Sequence, residues 1–510
     1  MSRERLDVVI IGAGLSGIGT AWHLEDKCPG TRFEILESRE AMGGTWDLFR
    51  YPGIRSDSDM FTLGYNFRPW REGKAIADGP AILDYIHDTA RESGIDEKIR
   101  YQHELLAADW STPEACWTLT VRDHANNRTL TIECGFLLIC AGYYAYARGH
   151  TPEFPAQEQF TGQIIHPQHW PENLDYSGKR VVVIGSGATA VTLVPSMAPE
   201  TEHITMLQRS PTYMIAMPDW DWIANVLRWI LPAQIAYDLT RWKNIWRQWF
   251  IYRRTRKSPR RFREFLLRRA RKALGPDCDF ETHFVPSYEP WDQRLCLVPN
   301  ADFFESVRAG RATVVTGQIE RFTRTGILLQ SGEELPADII ITATGLELQS
   351  LGGVSYSVDG RQVRFSETLS YKSVMFSDVP NLISTFGYIN ASWTLKSDLT
   401  AEYACRLLNH MRDIDAVQCV PRLRAEDRNM PKHEWIRDFT SGYIRRGLPL
   451  LPRQGDQAPW MNTQNYLADR KTLLRDPVQD DVLEFSSASG RPAMRSAAHP
   501  VEKTPFHCDQ

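Results

Sequence analysis

Asp7-Val-Val-Ile-Ile11 runs straight into Gly12-Ala-Gly14-Leu-Ser-Gly17, and Glu37 closes the next apolar stretch. The pattern returns later in the chain. Arg180-Val-Val-Val-Ile184 runs into Gly185-Ser-Gly187-Ala-Thr-Ala190, with Arg209 at the matching place. An apolar strand, a Gly-rich turn and a helix start in this order cradle a pyrophosphate. The turn lets the backbone approach, and the helix N-terminus offers unpaired N–H groups and partial positive charge. The residue about 20 positions further on reads the adenosine ribose. A carboxylate accepts bonds from free ribose hydroxyls, whereas an Arg meets a 2′-phosphate. Glu37 therefore predicts FAD at the first turn, and Arg209 predicts NADPH at the second. A chain that binds both moves hydride from NADPH to flavin.

Composition narrows the class. The 510 residues are 42% hydrophobic and 24% charged, enough for two or three globular domains. A net charge of −4 gives no overall attraction to nucleic acid. Nine scattered cysteines contain no CxxC pair. This predicts a reduced, cytoplasmic protein and excludes a dithiol–disulfide reductase, which would share the two-nucleotide layout. The residues before Asp7 leave no room for a signal peptide. No uninterrupted apolar run reaches membrane-spanning length; Trp222 to Tyr237 comes nearest, and Arg228 and Pro232 break it. His166 and His169 stand in a Pro-broken segment with no nearby Cys, so no metal is expected.

The fold class expected is α/β, with two Rossmann-like domains and a mainly helical insertion in the second. Residues 1–148 form the first part of the FAD domain. Pro80 to Arg91 reads as a helix with Pro in its first turn. Cys116–Arg122 and Arg128–Ile132 read as a hairpin, and Phe136–Gly142 as a separate closing strand. Residues 149–178 are a linker, and 179–342 the NADPH domain, with strands around Thr313–Phe322 and Gly326–Gln330 and a closing strand Asp338–Gly345. Its insertion spans about 211–300, where Trp242, Trp246 and Trp249 recur at helical spacing. Residues 343–485 return to the FAD domain and the substrate pocket. The Ser-, Ala- and Pro-rich segment 486–510 reads as a disordered tail.

The insertion is basic. Fourteen Lys and Arg stand against the single acid Glu264 between Arg241 and Lys272. With Trp242, Trp246, Trp249 and Phe250 this suits peripheral contact with anionic lipid. A solvated basic face with its Trp residues packed on the core is the commoner outcome and the one favoured here.

Two further stretches carry chemistry. Phe160-Thr-Gly162-Gln-Ile-Ile-His166-Pro-Gln-His-Trp170-Pro171 has the form FxGxxxHxxxWP. Gly43-Gly44-Thr45-Trp46-Asp47-Leu48-Phe-Arg-Tyr51-Pro52-Gly53-Ile-Arg55-Ser56-Asp57 follows the first helix. Both match, at every fixed position, the two signatures of the Baeyer–Villiger monooxygenases, and the chain resembles that family from Leu6 to about Tyr466.

The resemblance implies an FAD- and NADPH-dependent enzyme. It would insert one oxygen atom of O2 into ketones through a C4a-peroxyflavin, giving esters or lactones, and would also oxidise sulfides and thioamides. Such chemistry builds negative charge, which a fixed cation in a dry site stabilises. Arg294 aligns with the family's catalytic Arg, and Asp57 with the carboxylate that orients it. His166 is the fingerprint residue that couples domain motion to NADPH position. Gly12, Gly14, Ser16, Gly17 and Glu37 would hold the FAD pyrophosphate and ribose. Gly44, Thr45, Trp46, Asp47 and Leu48 would line the flavin, and the Leu105 backbone would meet the adenine. Arg55, Ser56 and Asp57 would lie between flavin and nicotinamide. Gly185, Ser186, Gly187, Ala188, Thr189 and Ala190 would cradle the NADPH phosphates, and Arg209 with Ser210 the 2′-phosphate. Where many members carry Lys before the catalytic Arg, this chain has Gln293, so NADPH preference rests chiefly on Arg209.

From the residues alone, Arg294 could instead bridge domains, and Asp57 could cap a turn. Three other functions stay open: a monooxygenase restricted to nitrogen or sulfur, an NADPH oxidase releasing peroxide, and a non-catalytic nucleotide-binding protein at a membrane.

Overall fold

The computed structural model describes residues 4–293, 295–437 and 439–488. The first sheet starts from β1 (Glu4–Ile11), whose last four residues are buried on both faces as a parallel central strand requires. After the Gly turn come α1 (Leu15–Lys27) and β2 (Phe33–Leu36). The short helices α2 (Thr45–Leu48) and α3 (Met60–Leu63) follow. Then comes α4 (Gly79–Glu92), where Asp78 accepts the Ala81 N–H and Pro80 sits in the first turn. Strands β3 (Ile99–Arg100), β4 (His103–Ser111), β5 (Cys116–Asp123) and β6 (Arg128–Ile139) complete this stretch in the order β4-β5-β6-β1-β2-β3.

The expected hairpin forms, but its second strand and the expected closing strand are one continuous strand, β6. β6 pairs antiparallel with β5 from Arg128 to Cys134 and parallel with β1 from Ile132 to Ile139. Both partners impose the same extended backbone, so no turn is needed between the two roles.

The chain then crosses over. β7 (Tyr144–Gly149) leads to β8 (Gln163–Ile165), β9 (Arg180–Ile184), α5 (Ala188–Met197) and β10 (His203–Gln208). The insertion is bounded by two paired strands, β11 (Met214–Met217) and β12 (Cys296–Pro299). Between them lie α6 (Trp222–Ile230), α7 (Ala233–Lys257), α8 (Pro259–Leu274) and α9 (Phe280–Phe284). Next come α10 (Asp302–Arg308), β13 (Ala312–Thr316), the meander β14 (Ile319–Phe322), β15 (Gly326–Leu329), β16 (Glu334–Pro336), and β17 (Ile339–Thr342). The second sheet is parallel throughout, ordered β13-β10-β9-β17-β8. Its edge strand β8 comes from the segment expected to be a linker.

The chain returns through β18 (Leu346–Leu348), which pairs with β7. β19 (Ser355–Val358) and β20 (Arg361–Gln362) extend the first sheet beside β4. The ribbon β21 (Ser370–Tyr371) and β22 (Met375–Phe376) precedes β23 (Leu382–Ser384), which joins β6. Helix α11 (Trp393–Asp413) packs on α1. A strand Leu483–Ser486 pairs with Gln418–Pro421, so order extends to Ser486. The tail from 489 lies outside the described residues.

The insertion docks on the first half through polar groups. Arg241 of α7 is buried and donates to the Phe61 and Gly64 carbonyls at 2.9 and 2.7 Å and to Asp398 at 3.0 Å. Asn244 and Gln248 donate to the two oxygens of Asp59, which caps α3. Trp242 lies tilted against Tyr466 under the Arg470 guanidinium. Trp246, expected on the core with the other Trp residues, is exposed instead, as is Phe250, because the inward face of α7 is largely taken by these hydrogen-bonding residues.

Candidate active site

Both Gly turns end at helix N-termini that have no side-chain cap. Gly14 precedes α1 and Gly187 precedes α5 with no capping hydrogen bond, whereas Asp59, Asp78 and Asp221 cap α3, α4 and α6. The first-turn N–H groups of α1 and α5 are thus left for an anion. At the first turn Gly12 has φ +98°, and a Cβ on Gly17 would stand 1.8 Å from the Gly12 carbonyl oxygen. Turn and helix therefore pack too closely for any side chain there.

Glu37 is buried at the end of β2. It accepts the Ala13 N–H at 2.8 Å and the Arg39 N–H at 3.0 Å. Burial pushes its carboxyl up, and these bonds pull against that shift. A carboxylate has about four lone-pair sites, so acceptor capacity remains for ribose hydroxyls. Ser16, in the first turn of α1, accepts from the Trp393 indole at 2.7 Å. Leu105 lies in β4 at a bulge. The arrangement fits FAD, with the pyrophosphate at Gly12–Gly17 and the ribose at Glu37.

The second turn repeats this with opposite charge. Arg209 and Ser210 are exposed just beyond β10, and the Ser186 hydroxyl donates to the Ser210 carbonyl at 3.2 Å. This joins the phosphate turn to the residues expected at the 2′-phosphate. Gly185, Ala188, Thr189 and the buried Ala190 complete the turn into α5. The site fits NADPH.

Between the two lies the signature Gly43–Asp57. Gly44 starts α2, Trp46 packs against the first core, and Leu48 against the second. Thr45 and the Tyr146 hydroxyl share a hydrogen bond of 3.2 Å, and burial pushes Tyr146 up to about 12. Asp47 is buried between Arg39 at 2.6 Å and Arg50 at 2.9 Å. Arg55 reaches across to Asp302 of α10 at 2.5 Å. Its other terminal nitrogen is buried with no acceptor among the described residues. Ser56 is buried against Ser58, and Asp57 beside it is half-buried. Arg294 lies outside the described residues; its neighbour Gln293 bridges to Pro290.

The fingerprint Phe160–Pro171 has a physical reading at each fixed position. Phe160 is buried edge-on to Phe322 under the meander. A Cβ on Gly162 would stand 2.2 Å from the Asp338 carbonyl oxygen. Trp170 packs against the second core. His166 has both ring nitrogens engaged by backbone: Nε2 donates to the Gly345 carbonyl at 3.2 Å, and Nδ1 accepts the Gln168 N–H at 3.2 Å. Those partners fix the neutral tautomer, and burial lowers the ring's proton affinity. Gln168 in turn donates to the Ala145 and Tyr146 carbonyls.

The two signatures meet in one narrow cleft. Phe49 and Tyr51 line it from the first, His166, Pro167 and Gln168 from the second, and Thr189 and Gly345 from the other half. Sequence reasoning missed Tyr146, Trp393, Arg39 and Asp302. Tyr146, Trp393 and Asp302 meet their partners across 101, 377 and 247 residues, and Arg39 belongs to neither signature.

Two Gly-rich turns at helix N-termini, with ribose-reading residues of opposite charge, define a flavin- and pyridine-nucleotide-dependent oxidoreductase. The family described as flavin-binding monooxygenase-like matches residues 76–420, and an NAD(P)-binding Rossmann-like domain matches residues 10–72. The chain belongs to the flavin-binding monooxygenase-like family and is an FAD- and NADPH-dependent monooxygenase. It is 53% identical over 493 residues to the FAD-containing monooxygenase EthA of Mycobacterium tuberculosis, covering 96% of this chain and 99% of that protein. It is 50% identical over 497 residues to the probable FAD-binding monooxygenase AlmA of an Acinetobacter species, covering 96% and 98%. Its fold is like that of an oxidized steroid monooxygenase bound to NADP, with a TM-score of 0.70, 20% identity and coverage of 83% and 88%. It is also like cyclohexanone monooxygenase from Rhodococcus bound to NADP+, with a TM-score of 0.68, 19% identity and coverage of 84% and 88%.

Proposed function

We propose that the chain is a Baeyer–Villiger monooxygenase. It inserts one oxygen atom of O2 into a small-molecule ketone to give an ester or lactone, and it oxidises sulfides and thioamides at the same site. FAD reduced by NADPH supplies the oxygen-transfer chemistry. In this reading 1–148 and 343–485 hold FAD and shape the substrate pocket, and 179–342 hold NADPH. The observation that carries the reading is the convergence of two complete signatures on one cleft between the halves.

Arg294 supplies the fixed cation beside the substrate carbonyl, and Asp57 orients it; this assignment rests on the signatures. A fixed cation in a dry site needs no reorganisation as negative charge develops, and its field is weakly screened. His166 is a positioning residue: its ring ties the fingerprint to Gly345 at the exit of β17, and both ring nitrogens are engaged by backbone rather than turned to a substrate. Arg209 and Ser210 hold the 2′-phosphate by charge-assisted bonds.

The test is the FAD-loaded protein with NADPH, O2 and linear, cyclic and aryl ketones plus one sulfide, with products identified by mass spectrometry. Esters or lactones that vanish in Arg294→Ala are expected. Sulfoxide alone, with every ketone untouched, would overturn the Baeyer–Villiger assignment. Equal NADPH oxidation with and without substrate would reduce the chain to an oxidase.

A further inference from the structure

Thirteen large apolar side chains are exposed among the described residues, and ten of them lie between Trp220 and Ile251. A monomer seldom gathers its exposed apolar surface in one place without a partner. The gathering is ordered. On α6, Trp222, Val226, Trp229 and Ile230 recur at i, i+4, i+7 and i+8, so they form one face. Trp222 is 72% and Trp229 89% exposed. The opposite side of α6 is held by Ala224, which is buried, and by Arg228, which donates to the Arg71 and Glu72 carbonyls.

Helix α7 is arranged the same way. Ile235, Leu239, Trp246 and Phe250 share an exposed face. Tyr237, Thr240, Arg241 and Asn244 share the buried one, and all four hydrogen-bond to backbone or carboxylate groups there. The pattern is partly inverted relative to a helix of a water-soluble domain: Tyr237, Thr240, Arg241 and Asn244 line much of the buried face of α7 beside Ala236 and Ile245, while on both helices large apolar residues face out. The inversion is stable only where the outer medium is itself apolar.

Charge identifies that medium. Arg253 lies over the Trp249 ring at 4.6 Å and Arg254 over Phe250 at 5.9 Å. Arg256, Lys257, Arg260 and Arg261 follow at the α7–α8 junction, all exposed. A Trp-rich apolar face bordered by guanidinium groups matches the layering of an anionic bilayer surface, acyl chains beneath phosphates. None of the described helices is long and apolar enough to cross a membrane, so the contact is with one leaflet. We infer that the outer face of α6 and α7, with the cations at the α7–α8 junction, docks the enzyme on an anionic lipid surface. The docking is independent of the reaction, and its failure would leave the monooxygenase assignment intact.

The test uses the full-length FAD-loaded protein with vesicles of phosphatidylglycerol and phosphatidylcholine in equal parts, and with phosphatidylcholine alone. Co-sedimentation with the anionic vesicles is expected, weakened on the order of tenfold or more by Trp222→Ser with Trp229→Ser. Arg260→Glu with Arg261→Glu should weaken it by a similar factor, as should raising the salt. NADPH oxidation in solution stays at the wild-type rate in both variants, which shows that they fold. No binding to anionic vesicles, or equal binding by the Trp variant, would overturn the inference. Equal binding to both vesicle types would remove the role of the cations. If the Trp variant instead converts a dimer to a monomer in sedimentation velocity while wild type ignores vesicles, the face belongs to a second copy and the lipid assignment falls.

Discussion

His166 shows how much one ring can fix. Its two nitrogens meet one backbone acceptor and one backbone donor, and the ring lies against Gly149, where a Cβ would be 1.9 Å away. Protonation would turn Nδ1 into a donor facing the Gln168 N–H. The folded ring titrates below its ordinary value, so its contribution to stability is complete above about pH 6.5. That contribution is lost as the pH falls through the lowered folded value. His166→Gln should lower stability by about 1 kcal/mol at pH 8. The difference in melting temperature between wild type and variant should then narrow as the pH falls from 6.5 to 5. A constant gap across that range would mean the ring does not titrate there. His166 was legible in the sequence because its signature is local. Its partner Gly345 was not, because the bond spans 179 residues.

At the scale of elements, periodicity and turn chemistry located the two phosphate turns, the Asp78-capped helix and the hairpin. Three features escaped. β6 pairs with β5 on one side and β1 on the other within one sheet and without a break, so nothing in its sequence marks where one partner ends and the other begins. β8 has only three residues, too few for an alternation pattern. The face by which α7 docks is polar, and an amphipathic pattern read with the usual sign puts its Trp residues in the core. The docking rests on Arg241, whose guanidinium bonds two carbonyls and Asp398 in a buried setting. Arg241→Met would leave the buried Asp398 carboxylate with the Asn66 N–H and His23 but without its guanidinium, at a cost of about 3 kcal/mol. Hydrogen exchange should show α7 opening first in that variant, with β1 and β9 protected as in wild type. Uniform loss of protection over the whole chain would show that the insertion is not a separable unit.

In the whole molecule the first half is discontinuous, and the second is threaded into it. Arg55 and Asp302 bridge the halves, and the cleft between them is lined from both sides. The chain leaves the first half along β7 and comes back along β18, and these two strands pair antiparallel, with Gly149 opposite Leu346. Exit and re-entry therefore lie side by side. Seen as a gene, the middle third is a cassette. Deleting residues 150–345 and closing the gap with a short turn would convert β7 and β18 into an ordinary hairpin. The product should purify yellow, carrying FAD in the Glu37 site, and should be indifferent to NADPH. A colourless, insoluble product would mean that the cassette is needed to fold its host.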